Sequence, residues 1–260
     1  MESQLRVPLK TALLIIGSGP IEYATYETLR ELTNLRCVVF SRKSKHVSKW
    51  QRFTEYGLWY SAQFIISKVY NSLLQNKICP NSANPQISQE IWQLKSDQHK
   101  ICQHLKALDV EVVFICGFHH ILRKRFLETF SHCINIHPSL LPSYRGPEPI
   151  IWGLLDRAES FGITLHQVDE GIDTGDIVAQ REIRAPKLQL AIHVAIQLSR
   201  ELPLLLRQTI GQIESGNLST QRQSGGFYLP APLLPNRRQR QLGELPANAN
   251  ANKSFNPHSV

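Results

Sequence analysis

The residues best suited to chemistry stand in "INIHPSLLPSYRG", residues 134–146, where Asn135 and His137 are followed by a loop broken by Pro138 and Pro142. The run "CINIH" reads as a β-strand, and the two-residue period of a strand turns both side chains to one side. An amide and an imidazole aimed at one carbonyl oxygen form a donor pair for a developing oxyanion. Asp173, in the glycine-rich turn "DEGIDTGD", supplies a third group. A carboxylate there keeps the His137 imidazole protonated or accepts a proton from an attacking amine. Acyl transfer needs these roles and no metal. The leucines and prolines after His137 stiffen the loop, exclude water and suit a flat ring ligand.

Plainer readings of the same residues stay open. His137 fits a hydrogen-bonded core histidine, Asn135 a partner for loop amides, and Asp173 a turn former. His166, alternating with apolar residues in "GITLHQV", reads as structural. His137, His166 and Asp173 also make a facial metal triad on paper, but no HxH or HExxH pair supports it.

These residues need a frame, and the chain reads as α/β. "TALLII" (residues 11–16), the turn "GSGP", the helical "IEYATYETLREL" and the strand "LRCVVF" form a βαβ opening. Glu22 stands where a dinucleotide fingerprint needs its third glycine, so nicotinamide or flavin binding is poorly supported. A basic, aromatic, helical insertion spans about 41–80, its aromatic residues read as a packing face. A helix over 88–108, a strand over 110–115 and a short helix in "HHILRKRFLETF" lead to "CINIH". A helix over 149–157 precedes the hairpin of strands 162–168 and 177–183. A long helix over 188–216 follows, kinked or restarted at Pro203. In open α/β sheets ligands bind beyond the carboxyl ends of the strands, which is where Asn135 and His137 fall.

With 42% hydrophobic and 19% charged residues, a chain of 260 residues has material for one sizeable core. The expectation is one domain over 1–235 and a disordered tail over 236–260. Five cysteines without a CxxC pair or signal peptide indicate reduced thiols in the cytoplasm. The apolar stretch 58–70 is too short to span a bilayer, so no membrane insertion is expected. The net charge of +8 is concentrated in Arg42, Lys43, Lys45, Lys49 and Arg52 and in Arg237, Arg238 and Arg240. Such runs are solvated surface or contacts for an anionic partner such as RNA.

From Gly117 to Glu182 the chain resembles the folate-dependent formyltransferases, through "GFHHIL", "NIHPSLLPSYRGPEPIIWGLL" and "GITLHQVDEGIDTGDIVAQ" in that order. The resemblance implies a Rossmann-like formyltransferase fold, a mostly parallel sheet with helices on both faces and a C-terminal hairpin. It implies 10-formyltetrahydrofolate as formyl donor, no metal, and Asn135, His137 and Asp173 as the catalytic trio. It places the pterin against His119, His120, Ile121 and Leu122 and against Ser139, Leu140, Leu141 and Pro142. Val168 and Asp169 open the turn that walls the same pocket. The implied acceptor is a primary amine on a small molecule or an aminoacyl-tRNA, with "RGPEPIIW" similar to the methionyl-tRNA and amino-sugar branches. Phosphoribosylglycinamide formyl transfer, formyltetrahydrofolate hydrolysis and non-catalytic folate sensing are the alternatives.

Overall fold

The computed structural model describes residues 8–17, 19–41, 49–74, 87–92, 98–118, 120–187 and 190–232. Among these residues seven strands form one sheet, in the order β3-β2-β1-β4-β5-β6-β7. β1 (Lys10–Ile15), β2 (Asn34–Ser41), β3 (Ser88–Trp92), β4 (Val112–Cys116) and β5 (His132–His137) run parallel to their neighbours. β6 (Ser160–Gln167) and β7 (Ile177–Arg184) continue the sheet antiparallel, as the expected hairpin.

The central strands are apolar on both faces because both are covered. On β1, Leu13 and Ile15 pack into one core with α1 (Pro20–Leu32) and α6 (Ala191–Glu214). Ala12 and Leu14 pack into the other with Ile101 and Leu105 of α3 (Gln98–Ala107) and Phe126 of α4 (Lys124–Leu127). On β5 the same alternation sends Ile134 and Ile136 to the α1/α6 face and Cys133 to the other. Asn135 and His137 therefore belong to the α3/α4 face, where α4 is a single turn. The loop after β5 leads into α5 (Pro149–Leu155), whose Trp152 is buried.

Three expectations change. Residues 88–108 are not one helix: Ser88–Trp92 pairs with β2 as an edge strand, and α3 starts only at Gln98. Cross-strand pairing has overridden a helix-compatible pattern. The helix expected in "HHILRKRFLETF" shrinks to Lys124–Leu127. α6 runs through Pro203 without a restart, the exposed ring costing the helix one internal bond while its opposite face stays buried.

α2 (Lys49–Leu74) is broken at Gly57, whose φ of 75° and ψ of 170° are not helical. Of its described aromatic side chains, Trp59 is 40% exposed and Tyr60, Phe64 and Tyr70 are partly exposed, and the expected packing face falls in part outside the described side chains. The buried positions are Ser61 and Gln63, and Gln63 Oε1 accepts from the Ala191 amide at the start of α6. This caps one of the open N–H groups of that helix. The tail expected over 236–260 lies outside the described residues. Among the described residues no helix is long and apolar enough to cross a membrane.

Candidate active site

The centre of the site is one carboxylate oxygen. Asp173 Oδ1 lies 3.3 Å from Asn135 Nδ2, 3.6 Å from His137 Nδ1 and 3.6 Å from His166 Nε2. Oδ2 accepts from the Gly146 amide at 2.8 Å. Pairing register brings two of these groups together, because Asn135 stands directly opposite His166 in the β5·β6 ladder. Residues opposite each other share a face of the sheet. Asp173 arrives from the β6–β7 connection with its backbone in the left-handed region, at φ 54°.

The expected trio is brought together, and His166, read from its sequence as structural, lies beside it. Its alternation with apolar residues was real, but it reported only that the side chain is buried, at 2% exposure. The missing signal was pairing register, which no single strand carries.

Proton positions follow from obligate acceptors. His166 Nδ1 lies 2.7 Å from the Gln167 carbonyl, so Nδ1–H donates there and Nε2 accepts from Asn135 Nδ2 at 3.1 Å. His137 Nε2 lies 3.0 Å from the Tyr144 carbonyl and donates to it, leaving Nδ1 to face Asp173. Both N–H bonds of the Asn135 amide are therefore engaged by the protein. Donation to a substrate oxygen requires exchange of the longer bond, the one to Asp173.

Burial pushes His137 below the ordinary imidazole range, outweighing the opposing pull of Asp173. Burial pushes the Asp173 carboxyl up, but His137, His166 and the Gly146 amide together bring it down to about 2. The carboxylate is ionised throughout the neutral range.

The loop after β5 is fastened to the hairpin by one hydroxyl. Thr164 Oγ1 donates to the Ser139 carbonyl at 2.6 Å and accepts from the Leu141 amide at 3.2 Å and from Gln180 Nε2 at 2.7 Å. Gln180 Nε2 also reaches the Leu141 carbonyl, and Ser139 Oγ donates to that of Ser143. Leu140 packs over Gly162, where a Cβ would collide with it. Ser139 and Leu141 are buried, while Leu140 and Pro142 are partly exposed.

The other expected folate contacts are more scattered. Ile121 is 69% exposed, Leu122 is buried in the α3/α4 core, His120 is partly exposed, and His119 lies outside the described residues. Val168 packs beside the same core. The Asp169 carboxylate turns inward to the Gly171 amide and the Thr174 hydroxyl, holding the turn that carries Asp173. Among the described residues no group of His, Cys, Asp and Glu side chains forms a metal cage.

An open, mostly parallel α/β sheet with a carboxylate, two imidazoles and an amide gathered at the end of β5 defines a Rossmann-like domain equipped for acid–base chemistry. Residues 35–190 match the Formyl transferase family, and the chain belongs to it.

A methionyl-tRNA formyltransferase of Thermodesulfovibrio yellowstonii is 34% identical over 163 residues, covering 62% of this chain and 51% of the relative. That of Clostridioides difficile is 30% identical over 164 residues, covering 63% and 52%. The chain thus spans about half the length of these relatives. Among solved structures, glycinamide ribonucleotide transformylase 1 from Symbiobacterium toebii superposes with a TM-score of 0.58 at 18% identity, over 86% of this chain and 99% of that one. A sugar N-formyltransferase from a Shewanella species gives 0.57 at 18% identity, over 86% and 77%. These two likenesses define the fold.

Proposed function

We propose that this chain transfers a formyl group from 10-formyltetrahydrofolate to a primary amine. The observation that carries the reading is the convergence of Asn135, His137 and His166 on one oxygen of an ionised Asp173, in a member of the Formyl transferase family. The amine lone pair attacks the formyl carbon, and the C=O pair moves onto oxygen, where Asn135 donates to it. His137 Nδ1 takes the proton released by the new ammonium, and the imidazolium is held against Asp173. Collapse breaks the bond from carbon to the folate nitrogen, which receives the electron pair and the same proton. The loop Ser139–Pro142 and the turn from Val168 to Asp173 wall the pterin in this reading.

The acceptor is an aminoacyl-tRNA or an amino sugar. The similarity to methionyl-tRNA formyltransferases supports this class, and the β1–α1 turn speaks against a phosphate monoester. There the Glu22 carboxyl lies over Gly19 and beside Gly117, at the helix N-terminus that would otherwise attract an anion. Burial pushes that carboxyl above its usual range.

The test is tetrahydrofolate release from 10-formyltetrahydrofolate by the purified protein, with glycinamide ribonucleotide, amino-sugar nucleotides or methionyl-tRNA as acceptor. Release that requires methionyl-tRNA or an amino sugar supports the reading. Equal release without any amine makes the protein a hydrolase, and folate binding without release makes it a sensor.

A further inference from the structure

The segment after α6 lies beyond the family match, yet it runs along the site. Gln221 exchanges two backbone hydrogen bonds with Ile177 at the start of β7, at 2.8 and 2.7 Å. The Leu229 amide donates to the Arg145 carbonyl at 2.8 Å, and the Pro230 carbonyl accepts from the buried Trp152 indole at 2.9 Å. Two glycines permit the close fit: a Cβ on Gly226 would meet the Pro142 carbonyl, and one on Gly146 the Leu229 carbonyl.

Gln223 stands in the middle of this strap. Its Nε2 donates to the backbone carbonyls of Asp173 at 3.0 Å and Gly175 at 2.6 Å. Its Oε1 accepts from Arg145 Nε at 3.1 Å and Nη2 at 2.7 Å. Arg145 precedes Gly146, whose amide donates to Asp173 Oδ2. The bonds close a ring: Gln223 to the Asp173 backbone, Asp173 carboxylate to Gly146, and Arg145 back to Gln223.

Asp173 needs such a hold. Asp173 has a φ of 54°, in the left-handed region that non-glycine residues seldom occupy. A carboxylate serving three nitrogens must also keep its direction, since small misplacements of reacting groups are costly in rate. Resting on the formyl-transfer reading, we infer that Gln223 is a positioning residue of the site. Gln223 touches none of the reacting atoms and acts through Asp173.

The test compares wild type with Gln223→Ala, Gln223→Glu and, as a control on the same strap, the exposed Arg222→Ala. Gln223→Ala should lower kcat about 10- to 100-fold while leaving KM for 10-formyltetrahydrofolate within roughly threefold. In ¹⁵N-edited NMR of the imidazoles, its His137 titration midpoint should fall, because the imidazolium loses an oriented carboxylate. Gln223→Glu keeps the shape and the acceptor for Arg145 but loses both N–H bonds, so it should behave like the alanine variant. It carries the test if that variant fails to fold. Arg222→Ala should match wild type. A Gln223 variant with kcat within twofold of wild type and an unmoved His137 titration overturns the inference. If wild type turns over no donor with any acceptor or with water, the formyl-transfer reading fails instead, and the NMR titration alone decides the strap.

Discussion

Asp173 holds its charge while the histidines around it divide the protons, and this separates what each substitution should do. His137→Ala should reduce turnover by about 10²–10⁴-fold, the usual range for a general acid–base group. Affinity for a stable folate such as 5-formyltetrahydrofolate, measured by calorimetry, should stay within a few-fold. The pH dependence of stability should divide in the same way. His137 titrates lower folded than unfolded, so the unfolded chain takes up its proton first as pH falls. Its contribution is complete above the unfolded value near 6.5 and is lost on acidification. The gap in denaturation midpoint between wild type and His137→Gln should therefore narrow from pH 7 to 5. Asp173, at about 2 when folded, contributes about 2 kcal/mol that is complete above pH 4 and lost only as pH falls toward 2. For Asp173→Asn the gap should not narrow from pH 7 to 5, because His137 without the carboxylate that raises it titrates lower still in the variant, and a narrowing there would show that the charge assignment is wrong.

At the scale of elements, the loop after β5 is held in place by buried polar contacts. Thr164→Val keeps the shape of the side chain but leaves the Ser139 carbonyl, the Leu141 amide and part of Gln180 without their partner. A loss of about 2–3 kcal/mol is expected, seen as a thermal midpoint lowered by roughly 4–10 °C. The sequence signals behaved differently here. Strands β1, β4 and β5 were legible because two-sided burial makes them continuous apolar runs, and the turn around Asp173 was legible from its glycines. Ser88–Trp92 was not, because an edge strand with polar Gln89 and Glu90 has no apolar alternation to separate it from a helix.

Across the whole molecule, the fold class and the Asn135, His137 and Asp173 cluster could be anticipated from local patterns, whereas the strap could not. Gln223 belongs to no motif, carries no charge and lies in a segment without periodicity; only the folded chain reveals its partners. The hydrogen bonds that complete the site span 38 residues from Asn135 to Asp173 and 50 from Asp173 to Gln223. The sheet and its helices are held by extensive apolar burial, the strap mainly by a few hydrogen bonds and the buried Leu229. Local opening of such a segment is easier than global unfolding. On gentle heating, activity should therefore disappear before the far-ultraviolet circular dichroism changes; coincident curves would show that the strap is part of the cooperative core. The same arrangement orders events during synthesis. Sheet and helices can close as soon as α6 has left the ribosome, while the strap that follows it is still inside the exit tunnel, so the nascent domain can fold before the strap is in place.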